Sequence, residues 1–419
     1  MTRAAPPRPT GLPHAVFLQR VADEPATSPE VRLGQGAFLA LRFVDLLSPD
    51  REPPAPDLFR YQWAATERYC SELAGEGTEA AHLAGIVRAT SEAHRNEDVR
   101  GLAPALLAYA LYLEQDSQLE EAEDVLLTLI RVGGARLAAS DATAAWMRVG
   151  RVRRLRTEFD PADGAYAEAG RIAAAAGDRQ SVLLSRIGQC NVLYFRGNLG
   201  EAEQGWRSVL ADSTAAGFIN VQAQAEHGLG SILHRRGQAH DAAPHLWRAY
   251  ELYEDDGALR ALGDLGNLML ALGDIMGAER ALNEVVRRAA LPDLLANAKI
   301  ELMHCASFRR DRVGFERWRE RALDHFEDTL PNIRADYHFK VGIGLARFGN
   351  VGKAETQMQQ ALEIASAHGL HELVFRIERI KNGLRECDAL EHSESSAAEP
   401  VVWTDQLREV SASLAALSA

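Results

Sequence analysis

Lysine is nearly missing from this 419-residue chain: it occurs only at 299, 340, 353 and 381, so almost all of the 46 basic residues are arginine. Cysteine is scarce as well. Cys70, Cys190, Cys305 and Cys387 are widely separated and form no C-x-x-C pair, which excludes a short secreted disulfide framework and makes a reducing compartment the expectation. Positive charge is in deficit, with a net charge of −13, and this argues against a general binder of nucleic acid or of anionic membranes. No stretch approaches the roughly 18 uninterrupted apolar residues of a membrane span. The opening residues MTRAAPPRPTGLPHAVFLQRV contain no apolar core of signal-peptide length. A soluble, cytoplasmic protein is therefore expected. No segment reads as a strand, and no G-x-S-x-G, Walker-type loop or strand-first glycine loop occurs, so nothing suggests catalysis or a cofactor. What is plentiful is apolar residue, 47% of the chain, enough for a large core.

That apolar content is organised. Leu229, Gly230, Leu233, Gly237, Ala242, Leu246 and Ala249 form a spaced pattern that returns as Leu265, Gly266, Met269, Gly273, Ala278, Leu282, Val285 and as Val341, Gly342, Leu345, Gly349, Ala354, Met358, Ala361. Looser copies centre on Ala122, Ala162 and Ala202. A further copy fits over 297–326, with Glu316 in the alanine's place and Phe315, Trp318 and Phe326 supplying bulk. Self-similarity at this period means an array of supersecondary units. Within each unit two segments carry apolar residues at spacings of three and four, hence two amphipathic helices. Gly230, Gly266 and Gly342 are expected to face Ala242, Ala278 and Ala354 across the hairpin, and the glycine before the second helix to supply a left-handed turn.

These residues resemble the tetratricopeptide repeat family, whose signature runs W-x2-L-G-x2-Y, then A-x3-F, then A. The match covers about 100–387, with copies longer than the family's usual ~34 residues, as in bacterial signalling arms and peptide-sensing regulators. The proline that closes a family repeat is mostly absent here. The resemblance implies an all-α fold, a right-handed superhelix (α-solenoid) of about seven hairpins with capping helices.

The expected organisation is a disordered segment over 1–28, a helical N-terminal cap or degenerate repeats over 29–99, the array with a terminal capping helix over 100–387, an acidic flexible linker over 388–400, and an amphipathic helix over 401–419. Ser28 should cap a helix from Pro29, with further helices near 58–74 and 79–94. In the last segment Thr404 can cap a helix, and Trp403, Leu407, Val410, Leu414 and Leu417 then make one apolar stripe. That stripe needs a surface, either on this chain or in self-association.

His234, His240 and His245 lie within twelve positions, but they lack the one-turn spacing of a helical zinc pair such as H-E-x-x-H. No metal is expected. Pro244 should delay the second helix to near Asp241 or kink it. The glycines of GIGLARFG (342–349) are better explained by close helix packing than by a phosphate loop.

The resemblance also implies that the first helix of each unit lines the concave side. Candidate groove residues are Arg151, Arg154, Asn191, Tyr194, His227, His234, Arg235, Asn267, Arg309 and Arg347, and among the inner positions read from the repeat only Glu301 is acidic. Asn191 and Asn267 fall where carboxylate clamps of the family use asparagine, but the clamp lysines are lacking. Guanidinium groups, amides and rings suit an extended peptide. The expected function is a non-enzymatic scaffold for a protein or peptide segment, acidic or C-terminal. The alternative is a ligand- or peptide-responsive regulator of a signalling or transcription partner.

Overall fold

Every hairpin turns on one residue in the left-handed region, placed at the same point of the repeat. In a computed structural model of the chain, which describes residues 11–20, 28–50, 52, 55–324, 326, 329–389 and 403–417, φ is positive at Ser117, Thr157, Gly197, Gly237, Gly273, Arg310 and Gly349. Each precedes by five the fourth residue of the next helix. That residue is Ala122, Ala162, Ala202, Ala242, Ala278, Phe315 or Ala354, and all seven are fully buried. A left-handed residue ends a helix by exposing its last carbonyls to the turn's own N–H groups. In this way Gly273 N donates to Leu270 O and Asp274 N to Met269 O.

The described residues hold nineteen α-helices and no strand, and they divide into two compact units, 1–202 and 203–419. In the first unit α1 (Pro29–Val44), α2 (Pro56–Glu72) and α3 (Thr78–Asn96) precede the hairpins α4–α5 (Ala103–Gln115, Leu119–Gly133) and α6–α7 (Ala139–Leu155, Phe159–Ala175), then α8 (Arg179–Arg196). Helix α9 (Leu199–Ala216) crosses the boundary. The second unit continues with α10–α11 (Ile219–Arg235, Ala239–Leu252), α12–α13 (Gly257–Ala271, Ile275–Arg288), α14–α15 (Pro292–Phe308, Arg312–Arg321) and α16–α17 (Pro331–Arg347, Val351–Ala367). It closes with α18 (His371–Ala389) and α19 (Asp405–Leu417). Within this unit the first helices of successive hairpins touch: α10 meets α12, α12 meets α14, and α14 meets α16. They form the inner side of the packing.

Small residues allow this approach: of the expected pairs Gly342 does meet Ala354, whose carbonyl oxygen would stand 3.1 Å from a Cβ there, while Gly230 and Gly266 meet a larger side chain first. A Cβ on Gly230 would stand 2.6 Å from Leu246 Cγ, and one on Gly266 2.9 Å from Leu282 Cγ. The glycines thus receive the large residue four after each key alanine, and the alanine lets the helix axes close. Gly342 packs against Met358 and Gly344 against the Phe315 ring, so GIGLARFG serves helix packing.

The copy over 297–326 has its register one residue earlier than the sequence spacing gave. Phe315, not Glu316, takes the alanine's position, because Asp311 caps α15 by accepting from Gly314 N at 2.9 Å, as Asp274 caps α13 through Gly277 N at 2.9 Å. Helix α11 begins at Ala239, ahead of Pro244; Gln238 O accepts from Ala242 N at 3.0 Å and starts the helix without the proline's missing donor.

At the N-terminus Ser28 Oγ accepts from Val31 N at 3.3 Å and starts α1. Residues 1–10 and 21–27, within the proline-rich stretch expected to be disordered, lie outside the described residues. Residues 11–20 differ from that expectation: they carry a 3-10 turn (Ala15–Gln19) with Phe17 fully buried. Two charged side chains fix it. His14 Nδ1 lies 2.5 Å from Asp124 Oδ2 and its Nε2 3.4 Å from Asp45 Oδ2. Arg20 Nε donates to Glu121 at 2.8 Å and Nη1 to Glu79 at 3.0 Å. Residues 390–402, most of the expected linker, are outside the described residues, and α18 runs to Ala389.

Candidate functional site

The inner positions of the second unit gather polar groups from four consecutive first helices. On α10, His227 Nε2 lies 2.8 Å from Asp264 Oδ2 of α12, and the same carboxylate acts on His234, whose pKa is nevertheless lowered because burial outweighs it. Arg235, at the end of α10, meets Glu372 of α18 at 3.5 Å. One position recurs: Ser231 on α10, Asn267 on α12 and His304 on α14 each stand eleven residues before their repeat's key small or aromatic residue. Ser231 Oγ donates to His227 O at 2.9 Å. Asn267 Oδ1 and His304 Nδ1 are buried and make no hydrogen bond among the described residues.

Next to His304 the charge is positive. Burial, then Lys340, Arg347 and Arg376, pull its pKa down to about 2, so the imidazole is neutral. Lys340 is buried and donates to Asp336 at 2.6 Å and to Glu301; burial would lower its pKa, but the two carboxylates raise it and keep the ammonium charged. Arg347, on α16, differs. Its guanidinium carbon lies 3.5 Å from the Phe308 ring centroid and Nη1 donates to Ser307 Oγ at 2.7 Å. Among the described residues no carboxylate pairs with it. Burial and the nearby Arg310 lower its pKa to about 10, the signature of a cation without its counter-charge.

In the first unit two inner arginines are already paired, while Arg154 rests on an aromatic ring with its Nε buried and unpartnered among the described residues. Arg148 and Arg151 of α6 converge on Glu114 of α4. Arg154 lies over the Phe195 ring at 4.7 Å, and Tyr194 meets Phe195 edge-on at 5.2 Å. Asn191 is half-buried on α8.

Of the ten residues chosen from the sequence, the second unit thus gathers His227, His234, Asn267 and Arg347, with Arg235 held by Glu372. Arg309 leaves the set. The one-residue shift turns it to Glu279, 2.9 Å away, and puts His304, Ser307 and Phe308 on the inner side. The shortage of inner carboxylates was also overstated, since Glu114, Asp264 and Glu372 enter from positions beside those counted. Sequence spacing missed His304. The signal was the shared D-x-x-G of 274–277 and 311–314, which aligns Phe315 with Ala278.

This is recognition chemistry: a ring-stacked cation, a neutral imidazole and an amide, all half-buried. Nothing here activates a nucleophile, because Ser231 gives its proton to a backbone carbonyl and burial raises the Cys305 thiol to about 12. His245 is engaged by Glu226 at 2.5 Å, and among the described residues no three His, Cys, Asp or Glu converge as metal ligands would. Among them, too, no helix is long and apolar enough to cross a membrane.

No protein-family model matches the chain, and no curated protein matches it. Solved structures do. The Rap conjugation gene regulator of the plasmid pLS20, in complex with the Phr* peptide, aligns over 86% of this chain and 99% of its own with a TM-score of 0.53 at 11% identity. The apo form of RapI aligns over 63% and 97% (TM-score 0.49, 11% identity), and the apo form of the quorum sensor NprR from B. thuringiensis over 78% and 97% (TM-score 0.47, 11% identity). At such identity the likeness to the pLS20 regulator is one of fold: this chain is an all-helical protein of tetratricopeptide-type repeats.

Proposed function

We propose that the chain is a non-enzymatic repeat scaffold that binds an extended peptide or protein segment along the inner side of its second unit, with an acidic side chain or a C-terminal carboxylate at Arg347. One observation carries this reading: Asn267 Oδ1 and His304 Nδ1 occupy equivalent positions of consecutive hairpins and are both buried without a partner among the described residues. Buried polar atoms are nearly always hydrogen-bonded, and a peptide backbone laid across the first helices supplies donors and acceptors at this kind of repeated spacing. The pLS20 regulator, which shares the fold, was solved with a peptide bound, and this supports the ligand class. The buried free thiols Cys70, Cys190 and Cys305 suit a cytoplasmic setting.

A regulatory consequence is favoured by the Arg235–Glu372 pair, which joins α10 to α18 within the unit and is well exposed on the glutamate side. An occupant at that place breaks or widens the pair, so binding is coupled to the spacing of α10 and α18. Exposed pairs contribute only about 0–1 kcal/mol, so little opposes the change.

The test is Asn267→Leu with His304→Leu, probed by a displayed library of eight-residue peptides with free C-termini. Removing unsatisfied buried polar atoms is neutral or stabilising for folding, so the melting temperature should hold or rise. Peptide enrichment should fall at least tenfold, about 1.4 kcal/mol. Unchanged enrichment by the variant removes the inner side from binding, and no enrichment by the native chain removes the scaffold reading itself.

A further inference from the structure

Helix α19 does not sit where a terminal cap belongs. It packs on α11 and α13, the second helices of two consecutive hairpins, while α18, the last helix of the array, keeps Phe375 66% and Ile380 40% exposed. The helix starts as its sequence dictates: Thr404 Oγ1 accepts from Leu407 N at 3.2 Å. Leu407, Val410 and Leu414 are then buried along one stripe, three and four residues apart, as a single helix face requires. The side-chain polar tie to the rest of the chain is Ser411 Oγ donating to Asp274 Oδ2 at 2.8 Å. Asp274 is the capping residue of α13, its other oxygen already holding Gly277 N. The tail is thus hooked to the residue that starts α13 and bridges two helices that α12 otherwise separates.

Three features make this seat an exchangeable one. A helix of thirteen residues is marginal alone in water, so α19 is helical because it is docked. Among the described residues its buried apolar side chains are Leu407, Val410 and Leu414, and its side-chain polar tie is a neutral hydroxyl. And it is tethered, so its return competes with outside ligands at an effective concentration in the millimolar range. We infer that the face of α11 and α13 under α19 is a second peptide-binding surface, for an amphipathic helix bearing Leu-x2-Val-x3-Leu, and that in the resting chain this chain's own residues 405–417 fill it as a displaceable ligand. The mode is helix-in-groove recognition, separate from the inner-side reading above. Because α19 bridges α11 and α13, its departure frees the spacing of the two hairpins whose first helices are joined by His227 and Asp264.

The experiment uses the full chain. Hydrogen exchange should find the α19 amides exchanging at least 100-fold faster than those of α11 and α13. A fluorescent synthetic peptide of residues 401–419 should bind the full-length Leu407→Asp/Leu414→Asp variant, whose own tail cannot dock, at least tenfold more tightly than it binds the native chain. The same peptide carrying both aspartates should bind neither. Exchange of α19 in step with α11 and α13 makes the helix a permanent part of the core and overturns the inference, whatever becomes of the variant. Failure of the peptide to bind a variant whose α11 and α13 remain protected overturns it too. So does a concentration-dependent dimer of the native chain that the variant loses, which would place the docking between copies.

Discussion

Three hairpins make their left-handed turn without glycine. Ser117, Thr157 and Arg310 hold φ near +60°, a region where a Cβ costs about 1–2 kcal/mol, and Thr157 is the worst placed because its branched Cβ is the most restricted there. Its side chain is exposed. Thr157→Gly should therefore raise the stability of the first unit by about 1 kcal/mol, net of the glycine's greater chain entropy, read as a shift of the denaturant midpoint at unchanged slope. An unchanged midpoint would mean that the turn is relaxed as it stands. The same three residues show what sequence could convey at this scale. Where glycine marked the turn, at 237, 273 and 349, the hairpin was legible from spacing. Where Arg310 took the position the mark vanished, the register slid by one, and His304 was lost from the site with it.

Among the elements, the N-terminal segment was the hardest to foresee. Its prolines indicate an unstructured lead, and nothing in HAVFLQR announces that Phe17 will be buried and that His14 and Arg20 will each meet two carboxylates contributed by two different helices, α3 and α5, and the turn after α1. Such contacts are tertiary and leave no periodic trace. Burial by itself lowers the pKa of His14; hydrogen bonds to Asp124 and Asp45 more than reverse this and raise it above the usual 6.5. Asp45 is shared with Arg131 at 2.5 Å and Arg42 at 3.8 Å, so the imidazolium closes a charge network rather than standing alone. A raised pKa in the folded chain means that the stabilisation is fully present below about pH 6.5 and disappears as pH rises through the folded value. The first unit's melting temperature should accordingly fall on going from pH 6 to pH 9. His14→Gln should flatten that slope and cost about 1–3 kcal/mol at the acid end. A native profile that is flat over this window would show that the pair does not bind the proton. The tail helix is the opposite case. Its cap, its first residue and its stripe were all legible, being local, whereas its seat on α11 and α13, more than a hundred residues back in the chain, was not.

Over the whole chain, a net charge of −13 with 46 basic residues suggested a basic groove in an acidic body. The distribution proves different. Arg148 and Arg151 share Glu114, Arg153 and Arg156 share Glu123, and Lys340 sits between Glu301 and Asp336. Inner-side cations are for the most part neutralised where they stand, and Arg347 on its Phe308 ring is the exception in the second unit. An acidic peptide gains little from a guanidinium that already has a carboxylate, since binding there exchanges one ion pair for another. It gains a charge-assisted hydrogen bond, about 1.5–3 kcal/mol, from one that has none. Arg347→Gln should therefore weaken an acidic or free-carboxylate peptide by roughly tenfold to a hundredfold and leave its C-terminally amidated form nearly unaffected. Arg151→Gln should change either affinity by less than about threefold, although it loosens the contact with Glu114. Titrating both variants at two ionic strengths separates these effects, because a half-buried site is screened less than a surface pair. Equal losses from the two substitutions would return the charge to the groove as a whole and deny Arg347 its separate role.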